Sequence, residues 1–352
     1  TSDGALARAE RSEDGWRLVA PGEWRADTVA LDGVASQLVG PEGRVIGVDT
    51  TDAMLELARR HQREIGERVG WHNVEFRRGH IQDLALDHDA LAAWIADHPI
   101  RDIAGVEALR REEERLRREA PMIPDESVDL VLSNCVLNLV DNREKERMFR
   151  EIWRVLRRGG RAAISDIVCD EDVPAELQAD PELWTGCISG AMREDRFLQA
   201  FADAGLYGVE VVAYQREPWA VVRGIEVRSM TVVARKGKEG ACWDHGEAVV
   251  YKGPFRSVVD DDGHVFFRGE RAAVCRKTYG LLSREPYADA FVTVPPLLEV
   301  AAEDAPPFDC AKTPRRDPAE TKRGVARQDL APGGVPTSGS ADGACCVPEA
   351  CC

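Results

Sequence analysis

No cysteine occurs before Cys135, although the 352-residue chain carries ten. Charge of positive sign is also short, since the formal net charge is −16 and the pI is near 5.0. Without a basic footprint, nucleic acid is excluded as a partner class, and an acidic, solubilising surface is expected. Missing too is any apolar run near the ~20 residues needed to cross a bilayer, and no paired n-region and h-region marks a secretory signal. These absences lead to the expectation of a cytoplasmic protein with no membrane partner, taken to be a monomer. In that setting ten cysteines point to thiols kept reduced for ligation or reactivity rather than to a disulfide framework. The chain opens at Thr1, and a truncated or degenerate N-terminus is expected.

Hydrophobic residues make up 44% of the chain, enough at this length for a large core and for two domains or one domain with appendages. RVIGVD at 44–49 reads as a strand closing on an acid, and the following TDAMLELARRHQREIGERV has helical apolar spacing. VEFRRGHI at 74–81 repeats the strand signal. A charged helical stretch over 89–119 then reads as a solvated helix face. DESVDLVLSNCVLNLV, 125–140, is almost wholly apolar, as a buried parallel strand is. REKERMFREIWRVLRRGG, 143–160, is amphipathic and expected to end at Gly159 and Gly160, with RAAISDIV as the next strand. Such alternation predicts an α/β, doubly wound, Rossmann-like sheet over 1–170, completed by 171–240. A smaller α+β domain is expected over 241–300. Residues 301–352, rich in Pro, Gly, Asp and Ala, read as a disordered, Cys-rich tail.

Two thiols stand out, Cys135 in SNCVLNL and Cys187 in WTGCISGA. A thiolate is the soft side-chain ligand for thiophilic centres, and the end of a strand in an open α/β sheet faces the ligand crevice. Against this stands the reading of each as a small buried hydrophobe. Cys169, Cys242, Cys275 and Cys310 are read as structural. Asp49, closing its strand, stands where such sheets present a carboxylate to a ribose.

The order Asp49, IQDL, SNCVL and LRRGGRAAISD resembles the class I S-adenosylmethionine-dependent methyltransferases. The stretches QLVGPEGRVIGVDTTDAML, SNCVLNLVDNREKERMFREIWRVLRRGGRAAISDIV, LWTGCISGA and EAVVYKGPFRSVVDDDGHVFFRGERAAVCRKTYGLL, with the terminal cysteine pairs, narrow this to a resemblance to the arsenite methyltransferases. That resemblance implies Cys135 and Cys187 as ligands of trivalent arsenic, presented as a thiol conjugate such as its glutathione adduct. It implies S-adenosyl-L-methionine as cofactor, with Asp27, Asp49, Thr50, Ile81, Gln82 and Asn134 in its pocket, and a thiol reductant such as glutathione or thioredoxin. Cys345, Cys346, Cys351 and Cys352 would capture or deliver the metalloid on a tether. Arsenic detoxification follows as the expected role.

The chain departs from the family in two places. Where a glycine-rich loop should follow the first strand, LVAPGEWRADTVAL offers only Gly22, crowded by Glu23, Trp24 and Arg25. The family's further N-terminal cysteines are also absent. Two alternatives therefore stand beside the methyltransferase: an arsenite-binding protein with weakened or lost catalysis, and a methyltransferase of a carbon or oxygen on a small organic acceptor.

Overall fold

Strand and helix alternate through the N-terminal half because its apolar residues switch between periods of two and 3.6. In the computed structural model, residues 8–12, 15–19, 28–312 and 314–322 are described. The chain divides into two units, Thr1–Glu239 and Gly240–Cys352.

In the first unit, β1 (Arg8–Ser12) and β2 (Gly15–Val19) form an antiparallel pair of their own. Helix α1 (Thr28–Val39) leads into β3 (Val45–Asp49), α2 (Asp52–Val69) and β4 (Val74–Arg78). β3 and β4 run parallel, from Val45 opposite Val74 to Asp49 opposite Arg78. The charged stretch forms α3 (His88–Asp97) and α4 (Ile103–Glu119), each opened by a side-chain cap, Asp87 and Asp102. Next come β5 (Val128–Asn134), α5 (Lys145–Val155), β6 (Leu156–Cys169), α6 (Ala175–Gln178) and α7 (Pro181–Thr185). The unit closes with β7 (Met192–Arg193), α8 (Glu194–Asp203), β8 (Tyr207–Tyr214), β9 (Ala220–Val222) and β10 (Ile225–Arg235). Its main sheet runs β5-β6-β10-β8, with β7 beside β6 and β9 beside β10.

The amphipathic face of α5 buries Met148, Phe149 and Ile152 against Ile164 of β6, Val232 of β10 and Phe197 and Phe201 of α8. Each such side chain contributes roughly 1.5–3 kcal/mol by leaving water. This packing holds the end of β5 and the loop after α7 close to β6.

Two local expectations change. The helix expected to run to Gly160 ends at Val155, and Gly159 and Gly160 lie inside β6. Its last carbonyls need no glycine cap, because Glu126 and Ser127 donate their N–H groups to Arg154 and Val155. Nor is β5 buried on both sides. Leu130 and Leu132 remain 37% and 38% exposed, since among the described residues β5 has a strand, β6, on one edge only. Consequently the parallel pair β3–β4 and the six-stranded sheet are not hydrogen-bonded to each other among those residues.

In the second unit, β11 (Ala248–Tyr251) lies between β14 (Arg271–Ala273) and β15 (Phe291–Val294), while β12 (Ser257–Val259) and β13 (Val265–Phe267) pair across the DDDG turn. Helix α9 (Arg276–Leu282) follows β14, and α10 (Pro318–Lys322) ends the described chain. The core gathers Val249, Tyr251, Phe266 and Phe291. A disordered tail from residue 301 is not what is found over 301–312 and 314–320. Phe308 donates to the Cys242 carbonyl, Ala273 to that of Pro314, and buried Arg316 pairs with Asp244 and Glu320. Single polar anchors hold this stretch, so hydrophobic periodicity gave no sign of it. Among the described residues no helix is long and apolar enough to cross a membrane.

Candidate active site

Cys135 follows the last residue of β5, and its N–H donates 2.9 Å to the carbonyl of Ser165 on β6. That bond turns the chain sharply, with φ at 54°. Cys187 sits just past α7 with φ at 60°, its N–H donating to the Trp184 carbonyl. Left-handed backbone is uncommon for residues with a Cβ and costs on the order of 1–2 kcal/mol each. Strain of this kind persists where the surroundings over-determine it, often at functional sites. The two thiols picked out from sequence are thus brought together: the Cys187 sulfur lies 3.9 Å from the Cys135 carbonyl oxygen, and the Cys135 sulfur 3.9 Å from Asn134 Oδ1. Both are free.

What binds the two segments is a set of buried polar groups. Asn138, fully buried, donates its Nδ2 to the carbonyls of Ile167 at 2.7 Å and Cys187 at 3.1 Å, and its N–H to Asp166. Lys145, in the first turn of α5, donates to the Gly190 carbonyl. Gly190 itself lies against Asn138 so closely that a Cβ there would fall 2.0 Å from the Asn138 carbonyl oxygen. Asn138, Lys145, Asp166 and Gly190 were missed by sequence reasoning. The available signal was a polar residue inside an apolar run, Asn138 in VLNLV and Asp166 in AISDIV.

Burial sets the local electrostatics. It pushes the Cys187 thiol up to about 11, with the charges of Asp166 and Cys135 adding to it, and raises Cys135 for the same first reason. It also raises Asp166 to about 6, against the N–H groups that favour its carboxylate, and lowers Lys145 to about 8. The Asp166 shift has a consequence for stability. Between the ordinary carboxyl value and about pH 6, the folded chain keeps a proton that the unfolded chain has lost, so raising pH through that window destabilises the fold. Relative to Asp166→Asn, the natural chain should lose on the order of 2 kcal/mol as pH rises from about 4 to 6.5, measured by urea unfolding at each pH. Parallel stability curves for the two proteins would contradict this.

A cleft of about 200 Å³ lies between β3 and β5, lined mainly by apolar side chains such as Ile46, Val48, Ile81, Leu84, Leu130 and Leu132, with Ser133 and Asn134 also on it; neither thiol lines it, although Asn134 and Val136 flank Cys135. Ile81 and Asn134 both line it, whereas Asp49, Thr50 and Gln82 do not. Asp49 sits at the carboxyl end of β3, where its carboxylate accepts the Thr51 N–H at 2.7 Å. Thr50 is exposed and Gln82 half-buried. The Ser133 hydroxyl, on this lining, is buried without a partner among the described residues. Asp27, the loop around Gly22, and Cys345, Cys346, Cys351 and Cys352 lie outside the described residues. A larger groove of about 890 Å³, between α5 and α8, contains no cysteine. Cys169 is fully buried, its sulfur 3.6 Å from the Ala191 carbonyl, as a packing role requires. Cys242, Cys275 and Cys310, read as structural, converge in the second unit.

Residues 30–205 match a family described as a methyltransferase domain, and residues 238–326 match a domain of unknown function. The chain is 30% identical over 271 residues to the arsenite methyltransferase of Aquipseudomonas alcaligenes, covering 73% of this chain and 68% of that protein. It is 36% identical to the Halobacterium salinarum arsenite methyltransferase, over 55% of this chain and 39% of that one. Identity to the human arsenite methyltransferase is 27%, over 74% of this chain and 63% of the human protein. The crystal structure of an arsenic(III) S-adenosylmethionine methyltransferase from Chlamydomonas reinhardtii is similar at 26% identity and a TM-score of 0.45, over 78% of this chain and 84% of that one. Fold and family match together define a class I, Rossmann-like methyltransferase. Within that class, the chain belongs to the arsenite methyltransferase family.

Proposed function

We propose that this chain transfers a methyl group from S-adenosyl-L-methionine to trivalent arsenic held by Cys135 and Cys187, as a step of arsenic detoxification. The observation that carries it is the approach of two strained cysteines, each on its own loop, with the Cys187 sulfur 3.9 Å from the Cys135 carbonyl oxygen at the end of β5. S-adenosyl-L-methionine supplies a sulfonium methyl, an electrophile. The protein's part is positioning: Asn138 fixes the Cys187 carbonyl, and the Ser165 carbonyl fixes the turn at Cys135.

With both thiols raised by burial, arsenic enters by exchange. A cysteine S–H gives its proton to the departing glutathione sulfur as the new As–S bond forms. Two protein sulfurs and one retained glutathione complete a pyramid that leaves the arsenic lone pair free. With the cofactor bound, that pair would form the As–C bond as the sulfonium S–CH3 bond breaks and a neutral thioether leaves; arsenic would be formally oxidised, and a thiol reductant such as glutathione or thioredoxin would return it to the trivalent state. Chain, arsenite, glutathione and methyl-labelled cofactor together should yield labelled methylarsenic. Arsenite binding without product would instead favour a sequestering protein, the reading that the single glycine in LVAPGEWRADTVAL supports.

A further inference from the structure

Three cysteines far apart in sequence converge in the second unit. The sulfurs of Cys242, Cys275 and Cys310 all lie within 4.8 Å of one another, and no His, Asp or Glu among the described residues joins them at that distance. Backbone hydrogen bonds fasten the three segments to each other. The Cys242 carbonyl accepts the Phe308 N–H, and the neighbouring Trp243 carbonyl accepts that of Arg276, each at 2.9 Å. Cys275 is fully buried, and its sulfur accepts the Thr278 N–H at 3.4 Å and contacts the Thr278 hydroxyl at 3.2 Å. Cys242 and Cys310 are partly exposed, which opens the cluster to solvent on one side.

We infer that Cys242, Cys275 and Cys310 form a second, three-sulfur site for trivalent arsenic, separate from Cys135 and Cys187. The choice of arsenic rests on the function proposed above; the convergence of the sulfurs does not. Ligand number decides between candidates. A structural zinc site is closed by four ligands in a tetrahedron, and this cluster offers three. Trivalent arsenic takes three sulfurs and keeps its lone pair on the open side, and soft thiolates suit it. The reaction needs no oxidant or reductant: three As–O bonds of arsenous acid break, three As–S bonds form, and each thiol proton leaves with a hydroxide as water. Because the segments are already tied together, little ordering cost opposes capture.

The test uses the full chain with Cys135, Cys187, Cys345, Cys346, Cys351 and Cys352 all replaced by Ser, so that methyl transfer at the first site plays no part in the result. Incubation with arsenite, desalting and elemental analysis should give one arsenic per chain, and X-ray absorption should show three sulfur neighbours. Adding Cys310→Ser should weaken arsenite binding roughly a hundredfold, as expected when one of three soft ligands becomes hard. In the unsubstituted chain, equimolar arsenite should slow alkylation of Cys242, Cys275 and Cys310, read peptide by peptide, which requires no variant to fold. Arsenic absent from the six-Ser chain, unchanged binding after Cys310→Ser, unprotected thiols, or displacement by equimolar zinc chloride would each overturn the inference. Loss of methyl transfer in the natural chain with this binding intact would count against the proposed reaction alone.

Discussion

Replacing Cys187 with Ser should cut methyl transfer to arsenite at least about a hundredfold, equivalent to roughly 2.7 kcal/mol of transition-state stabilisation. Cys135→Ser should do the same. Serine keeps the size and backbone demands of cysteine, and the turns at both positions are set by hydrogen bonds from the main chain, to Ser165 and Trp184. The substitution therefore leaves the loops in place and removes only the soft donor. Two readouts separate the explanations. Binding of the demethylated cofactor, followed by calorimetry, should stay within about threefold, because its cleft is walled mainly by β3 and β5 side chains that the change does not touch. Arsenite binding should fall with activity. If both serine variants methylate at rates close to the natural chain, the acceptor is a carbon or oxygen of an organic molecule, and the cysteines are packing residues.

Gly190→Val should be the most damaging single change outside the thiols. Even the Cβ of alanine would stand 2.0 Å from the Asn138 carbonyl oxygen, a backbone atom that cannot swing aside as a side chain can. The loop must shift, and with it go the Lys145 bond to the Gly190 carbonyl and the Asn138 bond to the Cys187 carbonyl. Overpacking of this kind costs about 1–3 kcal/mol, and at roughly 2–4 °C per kcal/mol the melting temperature should fall by about 2–12 °C. Moving the Cys187 carbonyl also moves its thiol, so activity should drop even below the new melting point. Calorimetric melting and an arsenite methylation assay at 15 °C measure the two parts. A Gly190→Val chain with natural melting and natural rate would show that the loop does not hold the thiols.

The strands and helices of the first unit were legible because their apolar residues are periodic. RVIGVD at 44–49 and RAAISDIV at 161–168 read as strands, and α5 showed its buried face in Met148, Phe149 and Ile152. Cys135 and Cys187 were singled out by their motifs, SNCVLNL and WTGCISGA. Asn138, Asp166 and Lys145 were not, since a polar residue within an apolar segment announces burial without naming its partner. The Lys145 partner, Gly190, is 45 residues away, and the Cys187 carbonyl is 49 residues from Asn138.

By itself, the sequence determined the chemistry on offer: periodicity makes the α/β alternation, and residue type alone makes a cysteine a soft donor. Which donors meet was decided only by the tertiary structure. Cys135 and Cys187 lie on adjacent loops because buried hydrogen bonds from Asn138 and to Ser165 pin those loops to β6 and to each other. Cys242, Cys275 and Cys310 converge because three distant segments exchange backbone hydrogen bonds. Such bonds can form between main-chain groups of any residues except a proline donor, so nothing in the side-chain pattern specifies them before the chain has folded.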